Sequence, residues 1–228
     1  MLTSNYTLDF NKNIDYSSPE KYLNHGLKTT LNTKNLHFIK SELGDLSKNL
    51  SSIKQLYQWI RATFQLKAAG GKTIGTSSSN KIIDNRVIGG CHDFGLLISS
   101  ILRYNNIPCI MVDTASISWA TGKSGFAGHV FLEVYIDGKW ILLDSVQQLL
   151  VAEYDNDNPI VPITLKENID GYFVMLKGID TDDYGINSLG DLKTHMIECV
   201  DFIGENINAL SYSRSAVLSF DEYIELNG

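Results

Sequence analysis

The feature that most constrains the fold lies between residues 128 and 145, where two alternating apolar runs flank Asp137-Gly138. Asp-Gly is a strong signal for a two-residue turn, and alternation with a period of two is typical of strands with one buried face. The segment therefore predicts a β-hairpin. With Asp137 and Gly138 at the turn, Ile136 opposes Lys139, and further along the ladder Phe131 opposes Asp144.

This register brings a histidine close to a carboxylate. His129 lies two residues before Phe131 on the same face of its strand, so it is the diagonal neighbour of Asp144, with about 7–8 Å between the two backbones. A carboxylate there can accept a hydrogen bond from one imidazole nitrogen and leave the other nitrogen as a base. The pattern predicts that His129 and Asp144 act together.

The other predicted elements give an α+β fold, with helices first and an antiparallel meander after them. We expect helices after Ser18-Pro19, after Ser52, from Cys91 to near Tyr104, and after Ser188. We expect further strands at 109–112, 160–165 and 172–176, and loops at 70–79 and 116–128.

Composition narrows the class of protein. With 228 residues, of which 43% are hydrophobic, the chain can bury a sizeable core, and we expect a single domain over residues 1–228. A net charge of -7 without a basic cluster disfavours nucleic acid and anionic membranes as partners. Neither a signal-peptide pattern nor an apolar run of about 20 residues is present, so a cytoplasmic protein is expected.

The cysteines point to a thiol rather than to a metal or a disulfide framework. Cys91, Cys109 and Cys199 are an odd number without the spacing of zinc ligands, and we expect no metal and no cofactor. Cys91 opens a predicted helix after Gly89-Gly90, where unpaired N–H groups and the helix dipole lower a thiol pKa from about 8.5. The Cys91 N–H would form half of an oxyanion hole, and Gly90 would let a substrate approach closely.

Four ordered segments carry a family resemblance: Gly-Cys-His-Asp at 90–93, Asn-Ile-Pro at 106–108, and the two hairpin strands at 128–134 and 139–144. Together, over a core region of 89–145, they resemble the transglutaminase-like superfamily. The resemblance implies a papain-like fold, with the active cysteine at the start of a central helix packed on an antiparallel sheet. It also implies a catalytic triad of Cys91, His129 and Asp144. Ser145 and Asn106 depart from the usual Pro and Gly without removing a catalytic group.

The resemblance further implies acyl transfer on a peptide or protein substrate. Cys91 would attack an amide or carboxamide carbonyl and form a thioester. Hydrolysis by a peptidase or deamidase is favoured, because a transglutaminase also needs a groove for an amine acceptor. Two alternatives are an inactive binding or scaffold domain, and a thiol redox sensor, which would need Cys91 and Cys109 within bridging distance.

Several other residues receive their own predictions. Trp119, in the predicted loop 116–128, either lines an acyl-substrate groove or anchors the loop. His92 is expected to point to solvent, since neighbouring helix positions diverge by about 100°. Asp93 is expected to complement the helix dipole, and Trp59 to pack in the core.

Overall fold

A computed structural model describes residues 10–164, 170–206 and 215–227 of the chain. A 3₁₀ helix covers Pro19–Leu23. The α-helices of the described residues are α1 (Thr33–Leu43), α2 (Leu50–Thr63), α3 (Ser79–Asn85), α4 (Cys91–Tyr104), α5 (Ile117–Ala120), α6 (Leu189–Asn206) and α7 (Phe220–Asn227). The strands are β1 (Gln65–Leu66), β2 (Val87–Ile88), β3 (Cys109–Ser116), β4 (Gly128–Ile136), β5 (Lys139–Asp144), β6 (Leu149–Val151), β7 (Ile160–Val161), β8 (Tyr172–Gly178) and β9 (Val217–Ser219). The fold class is α+β, as predicted.

An antiparallel sheet organises the chain, and in the described residues its strand order is β7-β8-β3-β4-β5-β6-β9. The predicted hairpin is β4–β5, and its register is confirmed: Ile136 pairs with Lys139, and Phe131 with Asp144. Asp137 and Gly138 both have positive φ, 52° and 78°. This backbone geometry joins two twisted strands through two residues, which explains the Asp-Gly pair.

Helix α4 packs against one face of the sheet. Its residues Leu97 and Ile101 are fully buried in the same apolar cluster as Val130 and Leu132 of β4. Gly95 permits the close approach, because a Cβ atom there would lie 2.9 Å from both the Met111 and Val130 side chains. The start of α4 is thereby placed beside the start of β4.

The opposite face of the sheet contains an ion pair that is buried among apolar residues. Lys177 Nζ of β8 lies 2.6 Å from Glu133 Oε1 of β4, and both side chains are inaccessible to solvent. The Tyr16 hydroxyl donates to Glu133 Oε2 at 2.8 Å, and Tyr154 also donates to this carboxylate. The network fixes the segment before the first helix and the segment after β6 to the sheet.

Several boundaries differ from the sequence predictions. Pro19 begins a 3₁₀ helix, and Ser18 makes no side-chain cap. Helix α2 begins at Leu50 because Asn49, not Ser52, caps it by accepting the Ser52 N–H. Strand β3 extends to Ser116, because its polar residues pair with β4 and β8 on both sides.

Other elements were missed or shortened. Helix α5 occupies the beginning of the predicted loop 116–128, and α3 begins at the end of the predicted loop 70–79. The strand predicted over 160–165 is reduced to β7, and Leu165 lies outside the described residues. The predicted Ser188 cap is confirmed, since its Oγ accepts the Asp191 N–H at 3.1 Å. Among the described residues, every helix is too short or too polar to cross a bilayer.

Candidate active site

Cys91 lies at the N-terminus of α4, and the residue is partly buried. Gly90 is the N-cap residue, and its carbonyl accepts the first helical hydrogen bond, from Phe94 N, at 3.1 Å. The N–H groups of the first helical turn have no partner within a helix, and they carry the positive end of its dipole. The backbone N–H of Cys91 is therefore a suitable donor to an oxyanion.

His129 and Asp144 meet as the hairpin register predicts. His129 Nε2 lies 3.0 Å from Asp144 Oδ1, with both side chains buried. The same carboxylate oxygen accepts the backbone N–H groups of Val146, at 2.7 Å, and Gln147, at 2.9 Å. The Tyr57 hydroxyl donates to the Asp144 carbonyl at 2.7 Å. Asp144 is thus held in place, and it leaves the His129 Nδ1 atom as the available base.

His129 also contacts Cys91, and this contact changes the titration of both groups. Burial raises the pKa of the Cys91 thiol, but hydrogen bonds with His129 and His92 outweigh it and lower that pKa to about 6. Burial lowers the pKa of His129, but the hydrogen bonds with Asp144 and Cys91 outweigh it and raise that pKa to about 10. At neutral pH the two groups are therefore a thiolate and an imidazolium.

The expectation that His92 points to solvent is wrong. Only 7% of the residue is exposed, and its Nδ1 atom lies 4.0 Å from the Cys91 sulfur. Its Nε2 atom lies 2.9 Å from Asp113 Oδ1. The 100° rotation between neighbouring helix positions turns the ring of His92 inward, because β3 packs beside the start of α4 and supplies a carboxylate there. Asp113, a residue of strand β3, carried no sequence motif that could have indicated this role.

A cavity of about 430 Å³ opens at these side chains. Its polar residues are Cys91, His92, His129, Asp113, Thr73 and Thr114. The rest of its lining is apolar or glycine: Gly70, Gly71, Ile74, Gly89, Gly90, Phe126, Ala127, Gly128, Leu189, Leu192 and Met196. The cavity thus has a reactive polar end and apolar walls, which is the usual composition of a ligand site.

The two residues predicted to bind substrate have different positions. Gly90 lines the cavity, and a Cβ atom at this position would meet no other atom within 4 Å. Trp119 is not among the lining residues. Its ring packs on Phe126, with 5.0 Å between the ring centroids, and Phe126 lines the cavity and is 47% exposed. Phe126 was missed, because nothing in a Gly/Ser-rich segment distinguishes it from a solvent-exposed residue.

The other cysteines, and Asp93 near the site, have positions that suit a structural role. Cys109 is buried, and burial raises its pKa to about 12. None of the three cysteines forms a disulfide. Asp93 is buried, and its Oδ2 atom accepts the Gly89 N–H at 2.7 Å, which fixes the entry of the chain into α4. In the described parts of the chain, no group of three His, Cys, Asp or Glu side chains could hold a metal ion.

Comparisons with known proteins found one family model and similar solved structures. Residues 38–145 match the model of the transglutaminase-like superfamily. A candidate cysteine protease from Cytophaga hutchinsonii has a similar fold, with a TM-score of 0.53 and 19% sequence identity over 77% of this chain and 51% of that chain. This chain thus spans about half the length of that protein. A second structure, described as a TGase, matches at 12% identity and a TM-score of 0.33, over 71% of this chain and 39% of that one.

No curated protein sequence matches the chain. The range matched by the family model, 38–145, contains Cys91, His129 and Asp144. Residues 38–145 of this chain are thus similar to the transglutaminase-like superfamily, and over 77% of its length the chain shares its α+β fold with the Cytophaga protein.

Proposed function

We propose that this protein is a cysteine-dependent acyl-transfer enzyme that hydrolyses an amide or carboxamide of a peptide or protein. The observation that carries the proposal is the continuous set of contacts from Cys91 to His129 to Asp144 at the polar end of an open cavity. A nucleophile, a base and a group that orients the base are the parts that such catalysis needs.

The reaction proceeds in two steps. The Cys91 thiolate attacks the carbonyl carbon, and the backbone N–H of Cys91 donates to the developing oxyanion. The C–N bond breaks as the His129 imidazolium gives its proton to the departing nitrogen, which leaves a thioester on Cys91. His129 then removes a proton from water, the hydroxyl adds to the carbonyl carbon, and the C–S bond breaks to restore the thiolate.

The walls of the cavity favour an uncharged acyl group. The large apolar side chains of its lining are Ile74, Phe126, Leu189, Leu192 and Met196. A charged group buried against these residues would lose its hydration without gaining a partner. We therefore expect a neutral side chain, such as the carboxamide of glutamine or an aliphatic residue, to enter beside Cys91.

A neighbouring groove favours water over an amine as the acceptor. This groove, of about 610 Å³, shares Gly89 and Thr73 with the active-site cavity and carries three lysines against one aspartate: Lys67, Lys72, Lys81 and Asp93. A primary amine acceptor is a cation at neutral pH, so the excess of positive charge repels it. The same charge would attract acidic residues on either side of the acyl group.

The test is a comparison of the purified protein with its Cys91→Ala variant on glutamine-containing peptides with acidic or basic flanking residues. Release of ammonia, or cleavage detected by mass spectrometry, is expected from the wild type alone, and acidic flanks should raise the rate. Adding a primary amine to the same reactions measures transamidation directly. Equal signals from both proteins would contradict the proposal and leave a binding domain as the function of the fold.

A further inference from the structure

The proposed mechanism uses one histidine, but the structure places two against the thiol. His92 Nδ1 lies 4.0 Å from the Cys91 sulfur, while its Nε2 atom lies 2.9 and 3.1 Å from the two carboxylate oxygens of Asp113. His129 contacts the same thiol, and its Nε2 atom contacts Asp144 in the same way. Each imidazole thus has a carboxylate behind it and Cys91 in front of it.

The His92 pair, like the His129 pair, is held by further contacts of its carboxylate. Asp113 is 1% exposed and lies on β3, between β4 and β8, next to an irregularity in the pairing with β8. The Tyr184 hydroxyl donates to its Oδ2 atom at 2.7 Å. A buried carboxylate is costly unless it is paired and hydrogen-bonded, and here both requirements are met by His92 and Tyr184.

The charges around the thiol alternate in sign. The order is Asp113, His92, Cys91, His129 and Asp144, which gives carboxylate, imidazolium, thiolate, imidazolium and carboxylate. Two cations therefore face the one sulfur, whereas the transfer of a proton to the leaving group consumes only the proton of His129. The second cation is unchanged throughout the reaction.

We propose that His92, paired with Asp113, is a positioning residue that holds Cys91 as a thiolate independently of His129. The inference rests on the proposed function, since it takes Cys91 as the nucleophile. It assigns the two histidines different tasks: His129 transfers protons, and His92 remains a fixed positive charge beside the sulfur. When the thioester breaks, the fixed positive charge of His92 stabilises the thiolate that departs.

The pKa shifts of His92 and Cys91 support the assignment of proton transfer to His129 and of a fixed charge to His92. Burial lowers the pKa of His92, but the charge and hydrogen bond of Asp113 outweigh it, and the pKa lies well above 6.5. The groups that face His92 are Cys91 on its own helix and Asp113 on β3, with Tyr184 behind Asp113. His129 faces the thiol from β4. His92 therefore keeps its proton over the range in which Cys91 loses its own.

The experiment measures the rate of iodoacetamide alkylation of Cys91 against pH, with mass spectrometry to assign the site. It compares the wild type with His129→Gln, with His92→Gln and with the double variant. We expect the midpoint near pH 6 in the wild type to rise part of the way in each single variant, and to reach about 8.5–9 only in the double variant. For the double variant, the alkylation rate at pH 7 should then fall roughly 30- to 90-fold below the wild type, in proportion to the thiolate fraction.

Two further variants separate the charge of His92 from its packing. Asp113→Asn keeps the shape of the partner but removes the charge that keeps His92 protonated, so the midpoint should rise as in His92→Gln. Tyr184→Phe removes one hydrogen bond to Asp113 and no charge, so its midpoint should equal that of the wild type. Thermal unfolding of each variant verifies that the site is still folded.

The outcomes distinguish the two proposals. A full rise of the midpoint in His129→Gln, with no change in His92→Gln or Asp113→Asn, would overturn the role of His92 and leave the proposed function intact. A wild-type midpoint near 8.5–9 would overturn the proposed function itself, because no thiolate would be present at neutral pH.

Discussion

His129 and Asp144 lie on neighbouring strands of one hairpin, and their side chains meet with 3.0 Å between Nε2 and Oδ1. This contact, together with that of Cys91, gives the site two titrations in opposite directions. The thiolate forms as the pH rises through about 6, and the imidazolium is lost as the pH rises through about 10. Both charged forms are present between these values.

The pH dependence of kcat/KM should therefore be bell-shaped, because the proposed reaction needs the thiolate as nucleophile and the imidazolium as acid. We expect a rise near pH 6, a plateau through neutral pH and a fall near pH 10. The two apparent values belong to the coupled groups together. A single rise near pH 8.5–9, without a fall, would contradict an ion pair of Cys91 and His129.

Replacing Asp144 with asparagine should impair catalysis more than folding. The amide oxygen of Asp144→Asn can still accept the N–H groups of Val146, Gln147 and His129, but His129 loses the negative charge that stabilises its imidazolium. We expect kcat to fall by about 10²–10⁴-fold. Asp144→Ala should in addition lower the free energy of unfolding by about 1–3 kcal/mol, since two N–H groups lose their acceptor. Steady-state kinetics and urea unfolding measure the two effects.

Two glycines, Gly128 at the start of β4 and Gly125 just before it, form a matched pair of tests. A Cβ atom at Gly128 would lie 2.4 Å from the Thr114 carbonyl oxygen, whereas one at Gly125 would meet nothing within 4 Å. Gly128→Ala should force β3 and β4 apart beside His129, lowering stability by about 1–3 kcal/mol and reducing activity. Gly125→Ala should leave both unchanged. Equal effects of the two variants would contradict the close packing at Gly128.

The aromatic pair beside the cavity tests the predicted role of Trp119. Phe126 lines the cavity, and Trp119 supports it from behind. Phe126→Ala should raise KM severalfold with little change in kcat, because the wall of the site is lost and the reacting groups are not. Trp119→Ala should give a smaller change in the same direction. A loss of kcat without a change in KM would place Phe126 outside substrate binding.

Replacing one member of the buried pair of Glu133 and Lys177 should lower the free energy of unfolding more than replacing both members with uncharged residues. Lys177→Met would leave Glu133 buried without a counter-charge, so we expect a loss of about 3–5 kcal/mol in the free energy of unfolding. The double variant Glu133→Gln/Lys177→Met should be less destabilised than Lys177→Met alone. Lys21→Met, which breaks the exposed pair with Asp15, is the control and should change stability little. Urea unfolding of the wild type and the three variants checks the order.

The hairpin shows how much of the candidate site can be predicted from local sequence. The Asp137-Gly138 turn sets the register of β4 and β5, and the period-two geometry of strands then places His129 beside Asp144 without any knowledge of the rest of the chain. Cys91 could likewise be placed at a helix start, because its signals, the two preceding glycines and the apolar periodicity that follows, are local.

The place of Phe126 at the cavity and of Ser116 in strand β3 could not be predicted from the neighbouring sequence. Strand β3 extends through polar residues because β4 and β8 satisfy its backbone from both sides, and those partners are distant in sequence. Phe126 acquires its place at the cavity from Trp119 and from the position of α6. Neither relationship leaves a periodic pattern in the neighbouring residues.

His92 is the clearest case of the difference. Because His92 follows Cys91 directly, its side chain leaves the helix in a different direction from that of Cys91, as helix geometry requires. From the sequence alone, that direction was expected to face solvent. The direction is instead occupied by β3, which brings the Asp113 carboxylate within 2.9 Å of the ring. Helix and hairpin geometry follow from nearest neighbours along the chain, so the sequence determines them. Whether a given helix face is buried, and which side chain packs against it, depends on contacts between distant segments. Only the packed structure determines those contacts.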